Sequence, residues 1–150
     1  MTISTARSQQ KARGFTLIEI LVVIGIIAIL AAIVIIAINP SRQFGQANDA
    51  TRTSDVSAIL NAIGQNMADN KGTFTCGSVT LSATAKDIGT GSGLTDLSCL
   101  VPTYMSALPM DPKGGTAADT KYTVMQDSTT KRVTVAATAE TAGTTISLTR

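Results

Sequence analysis

Few side chains in this sequence have the types and spacing that chemistry needs. There is no histidine among the 150 residues. That removes His-based triads, His general bases and the common imidazole zinc sites, and no nucleophile stands beside a base. Two cysteines, Cys76 and Cys99, remain. Outside the cytoplasm they can join as a disulfide; the alternative is two buried free thiols. Asp111 and Asp119 are two carboxylates eight apart, outside any EF-hand pattern. Pro109 and the pair Asp111-Pro112 read more simply as turns closing a loop. The most unusual group is Glu19. It lies within "GFTLIEILVVIGIIAILAAIVIIAINP", a stretch otherwise suited to lipid, where an unpaired carboxylate is costly.

The element that must position Glu19 is a helix. Between Ile20 and Ile38 no residue is charged, and a helix of that length spans about 28 Å, close to the hydrocarbon thickness of a bilayer. The run exceeds the apolar core of a secretory signal peptide, about 7–15 residues, and lacks its A-x-A-like end. It therefore reads as a retained transmembrane helix. Arg7, Lys11 and Arg13 precede Gly14 with no acid among them, which keeps the N-terminus cytoplasmic and the remainder translocated. Gly25, Ala28 and Ala32 fall at i, i+3 and i+7. They either let helices approach closely or simply reflect the composition of membrane helices.

Asn39-Pro40 can open a new helix, with proline at its first position, or kink a continuous one. Apolar residues then recur at Phe44, Ala47, Val56, Ile59, Leu60, Ile63 and Met67 along an amphipathic helix, cleanly spaced for one face from Val56 onward, and Lys71-Gly72 supplies its stop. Residues 72–120 are rich in Gly, Ser and Thr, with a short helix expected near Leu100–Leu108. The C-terminal part alternates with period two over Tyr122–Gln126, Arg132–Thr138 and Thr144–Thr149, an antiparallel meander whose buried face meets the Val56–Met67 stripe. Val133, Val135, Ile146 and Leu148 are its expected inward residues. The fold class is α+β: a long N-terminal helical spine, transmembrane and then amphipathic, packed on a small antiparallel sheet of about three strands.

The formal charge of +2 belongs to the leader. Beyond residue 14 there are 9 basic and 10 acidic side chains, so the body is near neutral and carries no bulk electrostatic footprint for nucleic acid. Aromatic residues make up 3%, too few for stacking platforms. Lys131-Arg132 reads as solvated edge chemistry rather than a DNA site.

The boundary "RGFTLIE" resembles the processing site of type IV prepilins and pseudopilins. The residues that carry the resemblance are the basic leader, Gly14, Phe15, Thr16-Leu17-Ile18-Glu19 and the unbroken apolar helix. The resemblance implies a leader at residues 1–14 cut by a prepilin peptidase between Gly14 and Phe15, and N-methylation of Phe15. It implies a transmembrane and filament-core helix at 15–39, and an amphipathic helix with an extracytoplasmic head at 40–150. Gly14 suits a close approach of the protease to the backbone. Cleavage would create an amine at Phe15 four residues from Glu19, and Glu19 would pair with that amine in its own chain or in the next subunit of a filament. The rival reading is that Glu19 merely snorkels to the interface. The family frequently uses a disulfide in its head, here the expected Cys76–Cys99 pair. "LPMDP", residues 108–112, resembles secretion pseudopilins, in which a nearby loop binds calcium; the resemblance implies Asp111 and Asp119 as candidate oxygen ligands.

The function implied is a structural subunit of a type IV pilus-like filament, not an enzyme, and no cofactor is expected. The subunit would be stored in the inner membrane and need an assembly ATPase and a platform protein. The alternatives are a major pseudopilin of a type II secretion system and a non-polymerising, membrane-anchored binding module.

Overall fold

The computed structural model describes residues 14–141 and 143–150; the basic residues Arg7, Lys11 and Arg13 lie outside them. The chain divides into two compact units, one ending at Pro40 and the other running Ser41–Arg150.

The first unit holds helix α1, Leu17–Ile38. None of its residues is buried, and its branched side chains are exposed along its whole length. Asn39 adopts a left-handed conformation (φ 46°, ψ 75°) and ends the helix. Helix α2, Pro40–Asp69, then begins on the proline. The first of the two sequence readings therefore holds, because Pro40 sits where a helix needs no N–H.

The second unit packs α2 against a four-stranded antiparallel sheet of order β1-β2-β3-β4. Its strands are β1 (Lys86–Asp87), β2 (Tyr122–Gln126), β3 (Val133–Ala137) and β4 (Ile146–Thr149). The registers Val124↔Val135 and Val135↔Leu148 place alternate residues on one face. That face supplies Tyr122, Val124, Val133, Val135 and Ile146 to the core, and α2 supplies Val56, Ile59, Leu60, Ala62 and Ile63. Leu148 shares the inward face but stays 38% exposed, because it stands on an edge strand. Burial of this helix stripe and sheet face is the main term holding the unit together.

One local expectation fails, and one end of α2 departs from its apolar pattern, both for identifiable reasons. The helix near Leu100–Leu108 is reduced to a 3-10 turn at Ser98–Leu100. Val101 precedes Pro102 and is extended (φ −97°, ψ 136°), as steric contact with a following proline ring favours. Phe44 and Ala47 do not join the buried face; at that end of α2 the buried positions are Gly45, Asp49 and Arg52. The chain opposite them is the 139–141 connection, whose backbone N–H groups need polar partners. At its other end α2 stops as expected. Lys71 is left-handed (φ 57°), and the Gly72 amide returns to the Met67 carbonyl at 2.8 Å, a closure typical of helix C-termini.

Candidate functional site

The N-terminal segment is built around a helix start. Thr16 is the N-cap of α1, extended at φ −81° and ψ 149°. Its hydroxyl accepts from the Glu19 amide at 3.2 Å, and its carbonyl accepts from the Glu19 and Ile20 amides at 3.1 and 3.3 Å. Thr16-Leu17-Ile18-Glu19 therefore has the Thr-x-x-Glu spacing of a capping box. Glu19 lies in the first turn of α1, where the helix dipole favours an anion. Gly14 and Phe15 precede the helix, and Phe15 is 78% exposed. The Gly14–Phe15 peptide is thus presented outside regular structure, whereas Glu19 is on the helix. In the uncut chain the Phe15 nitrogen is an amide, so the pairing expected of it belongs only to a cleaved form. The capping role of Thr16 was missed by the motif reading; the Thr-x-x-Glu spacing was the signal.

The Ser41–Arg150 unit has a second centre, of which the sequence had singled out only Asp111, in "LPMDP". Arg52 of α2 is 3% exposed. Its Nε and Nη2 donate to the two oxygens of Asp111 at 2.5 and 3.0 Å, a forked contact. Nη1 donates to Asp49 Oδ1 at 2.9 Å, and Nη2 also donates to Glu140 Oε1 at 2.8 Å. Asp49 meanwhile accepts from the Glu140 and Thr141 amides at 2.8 and 2.9 Å, and Asp111 accepts from the Lys113 amide at 2.7 Å. One guanidinium therefore fastens two separate connections, around residues 111–113 and 140–141, to α2.

The electrostatics follow from these bonds. The Glu140 amide, with further donation from Thr141 and Arg52, holds the Asp49 carboxyl well below the usual carboxylate range. Arg52 lowers Asp111 and Glu140 in the same direction. Asp111, chiefly, holds the guanidinium above its ordinary value. Nearby, the buried Tyr122 donates its hydroxyl to Asp55 at 2.7 Å. Burial and that acceptor push its phenol up.

The two aspartates considered for calcium line one cleft, but each is taken by a cation there. Asp111 faces Arg52, and Asp119 pairs with Lys121 Nζ at 2.5 Å on the surface. Asp111 does close a turn, through the Lys113 amide and through its own carbonyl, which accepts from Gly115 N–H at 3.0 Å. Among the described residues no group of three or more His, Cys, Asp or Glu is placed to hold a metal ion.

Cys76 and Cys99 form a disulfide with Cα atoms 5.6 Å apart. Cys99 stands in the 3-10 turn between Leu97 and Leu100, both fully buried, so the bond anchors the turn that seats those leucines. Asn66 at the end of α2 holds the neighbouring backbone, donating to the Thr75 carbonyl at 3.0 Å and accepting from its amide at 2.9 Å.

Residues 9–38 match the family described as the prokaryotic N-terminal methylation motif. The N-terminal segment thus carries a class III signal of the kind found in type IV prepilins and pseudopilins, which supports a pilin-like or pseudopilin precursor. Its match ends where α1 ends, at Ile38. That helix is long and apolar enough to cross a membrane. No curated protein and no solved structure matches the chain.

Proposed function

We propose that the protein is a structural subunit of a type IV pilus-like filament. Prepilin peptidase cuts between Gly14 and Phe15 and methylates the new N-terminus at Phe15. The segment 1–14 is then the leader, 15–39 the membrane anchor and filament core, and 40–150 the amphipathic helix and extracytoplasmic head. An assembly ATPase and a platform protein draw the subunit from the inner membrane, N-terminus cytoplasmic, into a homopolymer. The observation that carries this reading is α1. Inside the stretch that matches the methylation motif stands a helix of 22 residues with none buried in its own chain. So large an apolar surface requires lipid or other copies of itself.

Glu19 is the proposed assembly residue. In an apolar core its carboxylate is stabilised by an amine, and cleavage supplies one at Phe15 of its own chain or a neighbour's. The test is Glu19→Ala. Cleavage at Gly14 is retained and surface filaments are lost; abundant normal filaments from this variant would refute the role.

A secretion pseudopilus is the second reading, favoured by "LPMDP" at residues 108–112. Its aspartate is the one held by Arg52. Deletion separates the two: loss of a surface fibre marks a pilus, and loss of protein secretion marks a pseudopilus.

A further inference from the structure

We infer that the free edge of β4 is a strand-addition site for an extended segment of another protein, with alternating apolar side chains and an acid at its N-terminal end. The hydrogen-bond pattern comes first. Val133 and Arg150 exchange both backbone bonds, at 2.8 and 2.9 Å. Antiparallel partners alternate between bonded and non-bonded pairs, so Leu148 and Ile146 also bond towards β3. The N–H and C=O groups of Ser147 and Thr149 therefore point away from β3. They have no backbone partner among the described residues, and both residues are exposed. An unpaired row of this kind is a template for another strand.

The two edges of the sheet are not treated alike. The β1 edge is two residues long and bears exposed Lys86 and Asp87, the charges and shortness by which sheets block addition. Along β4, Ile-Ser-Leu-Thr contains neither charge nor proline.

Side chains on the inner face point to the same place. Leu148 shares the face of buried Ile146 and Val135, yet is 38% exposed. A further strand would cover it. Beside the end of β3 and β4 lies a groove lined by Leu60, Ile63, Gly64, Met67, Val133 and Arg150, apolar except for the arginine. Nothing approaches within 4 Å of the position a Gly64 Cβ would take, so the groove is open.

Charge selects the occupant. Among the described residues the Arg150 guanidinium donates to the neutral Asn61 Oδ1, at 2.6 Å, and neither it nor Arg132 has an ion pair. Both exposed arginines stand at the C-terminal end of β4. An antiparallel newcomer brings its N-terminal residue there. Glu-Thr-Val-Thr-Val would put its acid against Arg150, its threonines outward and its valines over Leu148 and Ile146.

The test uses the full chain in detergent micelles and fluorescein-labelled Glu-Thr-Val-Thr-Val or Lys-Thr-Val-Thr-Val peptides, read by fluorescence polarisation. The Glu peptide binds about tenfold more tightly than the Lys peptide, the scale of one charge-assisted contact. Arg150→Glu inverts that preference. Ser147→Pro removes an outward N–H without touching the β3 ladder; it keeps the wild-type circular dichroism spectrum and weakens the Glu peptide by about tenfold. Equal binding of the two peptides, binding of neither, or a preference unmoved by Arg150→Glu would overturn the inference. So would self-association of the chain through this edge, seen as a sedimentation change abolished by Ser147→Pro without peptide binding.

Discussion

Replacing Arg52 with alanine removes the cation that three carboxylates share. Arg52, Asp49 and Asp111 are 3%, 6% and 8% exposed, so water cannot take over the role of the guanidinium. Breaking a buried ion pair by deleting one partner destabilises by about 3–5 kcal/mol, because a charge is left buried and uncompensated. For a unit of this size about 4 °C is lost per kcal/mol, giving a fall in Tm of about 12–20 °C. The assay is thermal unfolding of the detergent-solubilised chain followed by far-ultraviolet circular dichroism. Arg52→Lys keeps the charge but not the fork to Asp111, so its Tm falls between those of wild type and alanine. Arg52→Met combined with Asp111→Leu removes a stranded charge together with its partner and recovers part of the loss. An alanine variant within about 3 °C of wild type, or a double variant whose losses simply add, would refute the reasoning.

Two further outcomes follow from the same unit. Asp49, Asp111 and Glu140 all have folded-state pKa values below their unfolded ones. Their contribution is therefore complete above the ordinary carboxylate range, about pH 4–5, and is lost as pH falls through the lowered values. Tm measured from pH 7 to pH 2 should hold steady and then drop, with a shallower drop in Arg52→Ala; an equal acid drop in that variant contradicts the assignment. The disulfide closes a loop of 23 residues' separation, for which the chain-entropy relation gives about 3.4 kcal/mol. Cys99→Ser should shift urea unfolding by roughly that amount, and an unchanged midpoint would contradict it.

What the sequence disclosed depended on how local the signal was. The strand Tyr122–Gln126 has the bounds its alternation predicts, and the apolar run of α1 announces its helix by composition alone. β1 gave no signal because Lys86–Asp87 is too short to show a period. It is a strand only because β2 bonds beside it, with Ile88 N–H reaching the Tyr122 carbonyl at 2.8 Å. The pairing at Arg52 was equally silent, since Asp111 and Glu140 lie 59 and 88 residues away, although Asp111 itself stood out in "LPMDP". One local clue existed. Asp49 and Arg52 sit seven and four positions before Val56, on the stripe that continues through Ile59 and Ile63. Charges on an apolar stripe must find partners across the fold. At the N-terminus the motif directed attention to Glu19 and away from Thr16, whose cap is what starts the helix.

The central claim is that a cut before Phe15 turns a membrane precursor into a filament subunit. Mass spectrometry of the N-terminal peptide from sheared surface filaments tests it most directly. The expected peptide begins at Phe15 and bears one methyl group on its amine. A mature protein that still begins at Met1 would contradict it.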